Sequence, residues 1–324
     1  MRKTILFNDN WSFIKVKRNT SMDAVMKMDN WAGVDIPHDW LIYDSNNLYE
    51  DSEGWYRKKF VFNPEADSLY AIRFEGIYME PEIFVNGEKA GEWKYGYNTF
   101  ELDITNLLRS GENEMVVHVT HPFPNSRWYS GAGIYRNIYF KTMPNTHIIS
   151  DGIYIRTARK DSGYELKIST ETSGDFDEIS YKVIDNDGKI VMTYCGKSDK
   201  TNVIHVDNPV EWSLDNPVQY TLRTELMKDG DVIDCIDEKF GFRTIEFNCN
   251  KGFFLNGTHV KIRGMCMHHD LGSLGAAVNK AAVRRQLVTM KKMGANAIRT
   301  SHNMPAVEVL EVCDEIGLLV QAET

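Results

Sequence analysis

His259-Val-Lys-Ile-Arg-Gly-Met-Cys-Met267, an apolar helical face on Val283, Leu287 and Met290, and then Ala295-Asn-Ala-Ile-Arg-Thr-Ser301 form the succession on which the fold turns. The first segment reads as a strand. Lys280 to Met293 carries its apolar residues at the spacing of one helical face, with Asn279 placed as N-cap and Gly294 as C-cap. A second strand follows at Ala295–Ser301. Pro305 suits the first turn of a second helix bearing Ala306, Val309, Leu310 and Cys313 and ended by Gly317, after which Leu318-Leu-Val-Gln-Ala322 is a third strand. Strand, helix, strand, helix, strand calls for a parallel sheet with right-handed crossovers. Three strands and two helices cannot close an eight-stranded barrel, so the expectation is a barrel whose remainder lies beyond Thr324.

Upstream the grammar is different. From Phe7 to about Met143 short runs with period-two alternation, such as Gly54-Trp-Tyr-Arg-Lys-Lys-Phe-Val-Phe62 and Leu69-Tyr-Ala-Ile-Arg-Phe74, are punctuated by Gly, Asn and Pro. Ile83-Phe-Val-Asn-Gly-Glu-Lys89 holds an Asn-Gly pair between strands, a strong hairpin signal. Residues 1–143 therefore read as a β-sandwich. Thr142-Met-Pro-Asn145 is taken as a linker. Residues 146–247, with turns at Asp185-Asn-Asp-Gly188 and Lys228-Asp-Gly-Asp231, read as an immunoglobulin-like sandwich on strand count and size, and residues 248–324 as the barrel portion.

Composition narrows the functions. The 324 residues hold 37 Lys plus Arg against 46 Asp plus Glu, a net charge of −9, evenly mixed. Phosphate binding needs a basic patch, so nucleic acid is not expected as a partner. Aromatics at 11% and apolar residues at 42% are ample for packed cores. Met1–Asn10 has only three consecutive apolar residues, too few for a signal-peptide core, and no apolar run approaches the ~18 residues that span a bilayer, so no membrane association and a cytoplasmic location are expected. The five cysteines share no C-x-x-C spacing and are expected to be buried thiols.

In parallel α/β folds chemistry gathers at the carboxyl ends of the strands. Here those ends carry His268, His269 and Asp270, then His302 and Asn303, then Glu323. Converging on one rim, they could hydrogen-bond a polyol, with imidazoles as donors or acceptors. For any single histidine, a satisfied strand-end hydrogen bond stands level with a ligand role. A zinc site from His268, His302 and Glu323 lacks any supporting H-E-x-x-H or H-x-x-E-H pair, so no metal is expected. Arg127-Trp-Tyr-Ser-Gly-Ala-Gly-Ile-Tyr-Arg136 is either a stacking platform for a sugar or sandwich core with glycine bends, and the residues alone favour core. Trp93, Tyr95 and Tyr97 alternate, which favours packing on one sheet face. Ile36-Pro-His-Asp-Trp40 reads as a tight polar turn without an evident role.

These same segments carry a resemblance. Ile36-Pro-His-Asp-Trp40, Gly54-Trp-Tyr-Arg57, Trp128-Tyr-Ser-Gly-Ala-Gly-Ile-Tyr-Arg136, Gly241-Phe-Arg243, Phe254-Leu-Asn-Gly257, Ile262-Arg-Gly264 and Arg299-Thr-Ser-His302 stand in the order seen in glycoside hydrolase family 2. The resemblance implies a mainly β, multidomain chain: a jelly-roll sugar-binding domain, an immunoglobulin-like domain and the first three strands of a (β/α)8 TIM barrel. It also implies retaining hydrolysis by two glutamates about 5–5.5 Å apart. In the family these follow the fourth and seventh barrel strands, so they are expected beyond Thr324 and this chain is expected to be inactive alone, with no catalytic residue of its own. His268 and His302 match histidines that line the sugar pocket in relatives. Asn303, His269 and Glu323 are the further substrate-side candidates. Where relatives place a pocket aspartate from the first domain, an ungapped match puts Arg127 here, so either a neighbour such as Asn125 substitutes or this pocket contacts its sugar differently, and that contact is not carried over. His268-His-Asp-Leu-Gly-Ser-Leu-Gly-Ala-Ala277 resembles the β-galactosidase type more than the β-glucuronidases. The implied partner is a β-galactoside or related glycoside, the full-length enzyme is expected to be a homo-oligomer, and no cofactor is expected in this chain, a divalent cation remaining open for the longer enzyme. A non-catalytic carbohydrate-binding protein of two sandwiches is the reading from another class.

Overall fold

The computed structural model describes residues 1–196 and 201–323. The chain is mainly β, with two sandwiches followed by a short parallel sheet. In the first sandwich one sheet holds Lys3–Leu6, Ile138–Pro144, Ser68–Phe74 and Phe100–Asp103, in that order. The facing six-stranded sheet is centred on Ser52–Phe62 and Gly111–His121, paired antiparallel over their full length. Inward positions of the two sheets, among them Trp11, Tyr56, Ile72, Phe74, Val117 and Phe140, meet in one core. The Asn-Gly hairpin is found at Asn86–Gly87, where both residues have positive φ, 52° and 86°. That backbone matches the right-handed twist of the flanking strands.

The second sandwich packs a sheet of His147–Lys160, Gly163–Ser173 and Asn202–Asp207 against one of Ile190–Gly196, Glu178–Ile184, Tyr220–Lys228 and Asp231–Phe240. Its core includes Ile148, Leu166, Tyr181, Leu222 and Phe242. The expected linker is not free chain. Thr142–Pro144 continue the strand Ile138–Pro144 and pair with Ser68–Tyr70, because the sheet offers their backbone groups partners that an open linker would not. Arg2 bridges the sandwiches, its Nε donating to Asp234 Oδ1 at 3.1 Å.

Three further sequence expectations need correction. The segment 259–267 is not one strand. Thr258–His259 pair antiparallel with Phe254–Leu255, whereas Gly264–Met267 pair parallel with Ala297–Thr300, so the chain changes partners and breaks between them. Pro305 lies before the second helix, which runs Val307–Ile316 with Ala306 as N-cap and Gly317 left-handed at its end. Only Cys313 is buried. Cys195, Cys249 and Cys266 are exposed, since strand alternation turns Cys195 outward and Cys249 sits in a turn.

The parallel sheet has the order Gly264–Met267, Ala297–Thr300, Leu319–Gln321, with the helix Lys280–Lys292 between the first two. Asn279 Oδ1 accepts from Ala282 N at 3.0 Å, the cap its position suggested. Both helices bury one face, Val283 and Leu287 on the first and Val309, Val312 and Cys313 on the second, under the sheet residues Met267 and Ile298. No helix among the described residues is long and apolar enough to cross a membrane.

Beside this sheet lies an apolar cleft lined by Ile245, Phe247, Phe253, Ile262, Ile298 and Leu319. Phe247 is 77% exposed and Ile262 50%. Covering one such side chain is worth about 1.5–3 kcal/mol, and among the described residues the outer strand Leu319–Gln321 pairs on one side only. The 324-residue chain should therefore self-associate at micromolar concentration, with Phe247→Glu shifting it toward monomer in sedimentation velocity. A wild-type chain that stays monomeric over that range contradicts this.

Candidate functional site

Parallel register sets the rim. Met267 is level with Thr300, and Arg299 with Gln321, so the residues that follow each strand emerge together at the carboxyl edge. His302 Nδ1 lies 3.2 Å from Glu323 Oε2, and Arg299 Nε donates to Glu323 Oε1 at 2.7 Å. An ionised carboxylate only accepts, so Nδ1 of His302 donates to Glu323, which leaves Nε2 facing a ligand hydroxyl. Burial acts to raise the Glu323 pKa, but the bonds from Arg299 and His302 outweigh it and hold the carboxyl below its usual range. His268 meets His302 edge to face with ring centres 5.3 Å apart. Both histidines are exposed.

His269 and Asn303 turn inward. His269 Nε2 donates to the Ser130 carbonyl at 2.9 Å, and Asn303 Nδ2 donates to His269 Nδ1 at 3.4 Å. Burial is the main cause that lowers the His269 pKa to about 4, so the ring is neutral at pH 7 with both nitrogens engaged. Of the five strand-end candidates, then, His268, His302 and Glu323 face the rim. His269 and Asn303 support it from behind. Among the described residues no cluster of three metal-ligating side chains forms.

The first sandwich supplies the rest of the wall. Trp128 lies 5.2 Å from His302, ring centre to ring centre, and its Nε1 donates to the Tyr97 hydroxyl at 3.1 Å. Two buried polar residues of the same sandwich lock the barrel loops onto it. Asp39 accepts at Oδ1 from Leu41 N and Ala132 N, both at 3.0 Å, and at Oδ2 from Ala276 N at 2.9 Å and from the Tyr129 hydroxyl. Arg136 donates to the carbonyls of Tyr97 at 2.9 Å and Met304 at 2.7 Å. Asp39 thus holds the loop after the first barrel strand, and Arg136 the loop after the second.

Glycine permits this contact. A Cβ on Gly131, where φ is +68°, would lie 2.4 Å from the Ala276 Cβ, and one on Gly275, where φ is +60°, would lie 2.3 Å from Asp39 Oδ2. No side chain fits at either position. The Gly-Ala-Gly stretch is therefore a junction between sandwich and barrel, and the Ile36–Trp40 turn is its clamp. Arg127 is exposed and has no hydrogen bond or ion pair among the described residues, while Asn125 Nδ2 donates to the Tyr78 hydroxyl at 2.9 Å.

Three family models match the chain in succession: the sugar binding domain of glycosyl hydrolases family 2 over residues 9–144, glycosyl hydrolases family 2 over 146–243, and the TIM barrel domain of the same family over 248–324. The chain belongs to glycosyl hydrolase family 2. It is 36% identical to a beta-galactosidase of Bacteroides ovatus, matching 98% of this chain and 40% of that protein. It is 34% identical to a putative beta-glucuronidase of Formosa agariphila, over 98% of this chain and 32% of that one. The crystal structure of a beta-glycosidase from Bacteroides vulgatus superposes with a TM-score of 0.92 at 32% identity, covering 99% of this chain and 44% of the other. The chain spans less than half the length of these family 2 relatives.

Trp93, Tyr95 and Tyr97 differ from expectation. Their strand ends at Glu92, so alternation no longer assigns a face: Tyr97 is buried, while Trp93 and Tyr95 are exposed. Trp128 and Arg136 lie in the segment whose sequence leaves a stacking platform and sandwich core both open, whereas Asp39 lies in a turn to which the sequence assigns no role.

Proposed function

We propose that this chain forms the sugar-binding side of a retaining glycosidase that removes terminal β-galactosyl residues, with bond cleavage performed by the longer protein of which such a chain is part. The observation that carries the reading is the convergence of His268, His302 and Glu323 beside Trp128 at one strand-end rim. Imidazole nitrogens and a carboxylate suit vicinal hydroxyls, and an aromatic face suits the C–H face of a pyranose. The division into 1–143, 146–247 and 248–324 is the organisation on which this rests. The galactoside preference is supported by the 268–277 segment and by the beta-galactosidase relative.

A second reading, a β-glucuronidase, has one observation in its favour. Arg127, exposed and next to Trp128 in sequence, has no ion pair among the described residues, and a uronic acid carries a carboxylate that such a cation would pair with. The decisive test assays the full-length protein and this chain side by side on nitrophenyl β-galactoside and β-glucuronide. The full-length protein should cleave the galactoside and the 324-residue chain neither. Cleavage of the glucuronide alone would transfer the assignment to the second reading, and cleavage of neither by the full-length protein would leave the binding-protein class. In the chain itself His302→Ala should weaken galactoside binding about tenfold in calorimetry, since a polar partner is removed from the rim. Unchanged affinity would remove His302 from the site.

A further inference from the structure

Strand alternation puts Cys266 on the side of the parallel sheet away from the two helices. Its neighbour Met267 packs into the helix core, as does Ile298 on the next strand, so Cys266 and the Arg299 level with it point the other way. The thiol is exposed there, and Arg299 Nη1 donates to Cys266 Sγ at 3.4 Å. The same guanidinium holds Glu323 through Nε at 2.7 Å, and Glu323 meets His302. Cys266 therefore shares its cation with the rim, and at about 3.3 Å of rise per residue it lies two positions, roughly 7 Å, below His268.

A second group is turned to the same sulfur. Ser301 is 3% exposed, and its hydroxyl has no partner among the described residues other than the Cys266 thiol. A guanidinium and a hydroxyl that converge on one sulfur stabilise its anion, which is the nucleophilic form. Bonds from Arg299 and then from Ser301 hold the Cys266 thiol below its usual range, against opposition from burial and the Glu323 charge. The other exposed cysteines lack this setting. Burial and the neighbouring Glu178 carboxylate push the Cys195 thiol up, and Cys249 sits in a turn with no cation bonded to its sulfur among the described residues.

We propose that Cys266 is the reactive thiol of this chain, a modification site for small disulfides such as glutathione disulfide, and that the adduct covers the His268 and His302 rim. In the exchange the Cys266 sulfur attacks one sulfur of the disulfide, and a new S–S bond forms as the old one breaks. Cys266 is thereby oxidised to a mixed disulfide. The departing half is reduced to a thiolate, which takes up the proton that the cysteine has lost. A tripeptide extends about 10 Å, enough to reach from this sulfur over the rim. The reactivity stands on the surroundings of the thiol alone, whereas the effect on sugar binding rests on the assignment of the rim to the terminal sugar.

Dithiobis(nitrobenzoate), a disulfide that releases a coloured thiolate, titrates the thiols of the 324-residue chain, and peptide mass spectrometry assigns them. Cys266 should react at least about fivefold faster than Cys195 and Cys249 at pH 7. Its rate should also level off at a lower pH than theirs, a comparison within one folded protein that needs no variant. Arg299→Met should bring the rate down to theirs, and Arg299→Lys should keep part of the advantage. Equal rates for the three exposed thiols overturn the proposal, as does an advantage that survives Arg299→Met. Glutathione disulfide should then weaken methyl β-galactoside binding about tenfold or more in calorimetry, with recovery on dithiothreitol and no effect on Cys266→Ser. A chain glutathionylated at Cys266 that binds the galactoside unchanged overturns the covering of the rim. Absence of galactoside binding before treatment would count against the sugar assignment instead, and the thiol rates would still decide Cys266.

Discussion

Replacing Asp39 by alanine should cost about 4 kcal/mol of stability and abolish measurable sugar binding by the chain. The carboxylate is 2% exposed and accepts from four donors: Leu41 N, Ala132 N, Ala276 N and the Tyr129 hydroxyl. Removing it leaves these donors without a partner in a space too tight for easy rehydration, and each buried unsatisfied group costs about 1–3 kcal/mol. Partial relaxation and water entry bring the sum down to the figure above. The same loss frees Gly275–Ala276 from Gly131, which loosens the loop that begins at His268. Asp39→Asn keeps the shape but turns one amide N–H toward a donor, and about half the loss is expected. Urea unfolding followed by tryptophan fluorescence reads both values. A loss below about 1 kcal/mol for the alanine variant, or sugar affinity retained in a destabilised but folded protein, would show that the clamp does not position the rim.

How much of this was legible beforehand follows from the range of the interactions involved. The two sandwiches, the Asn86–Gly87 hairpin and the Asn279 cap are local: period-two alternation, a turn dipeptide and a side chain three residues from its partner state themselves in sequence. The placement of His302 against Glu323 was also accessible, because parallel strands put their carboxyl ends on one rim. Asp39 and Ala276 are 237 positions apart, and nothing local to Ile36–Trp40 signals that its carboxylate caps a barrel loop. The approach of Gly131 to Ala276 and of Gly275 to Asp39 is hidden in the same way, since two glycines look like two bends until their distant neighbours are seen. Tyr95 was misread for the opposite reason. A local pattern was present, but the strand that would have given it meaning stops at Glu92. The break at 260–263 is a contest between two sheets for one segment, and only the tertiary structure decides it.

A second long-range contact gives the other large effect, a stability that falls between about pH 4.5 and 7. Glu75 in the first sandwich and Glu308 in the first turn of the helix Val307–Ile316 are 6% and 7% exposed, and each has one carboxylate oxygen without a hydrogen-bond partner among the described residues. Asn137 Nδ2 donates to Glu308, which brings that helix against the sandwich. Burial first, and the Glu308 charge second, push the Glu75 pKa up from 4.5 to about 7, against the opposing pull of Arg73, Asn137 and Arg136. The folded state therefore holds a proton that the unfolded chain releases near pH 4.5. The stability linked to this group is intact below pH 4.5, declines as the pH rises and levels off above about 7, an overall loss on the order of 3 kcal/mol. Glu75→Gln imitates the protonated form. It should match the wild type near pH 4.5 and exceed it at pH 8 by up to that amount, with a flatter profile of urea midpoint against pH. Replacing a carboxylate that sits near two arginines would ordinarily weaken a protein, so the sign of the change at pH 8 is decisive. A Glu75→Gln variant that is less stable than wild type at pH 8 would mean that the cation contacts outweigh burial and the neighbouring carboxylate. A Glu308→Gln variant that removes part of the slope, without touching the plateau at low pH, would place the second charge where the burial of both residues already puts it.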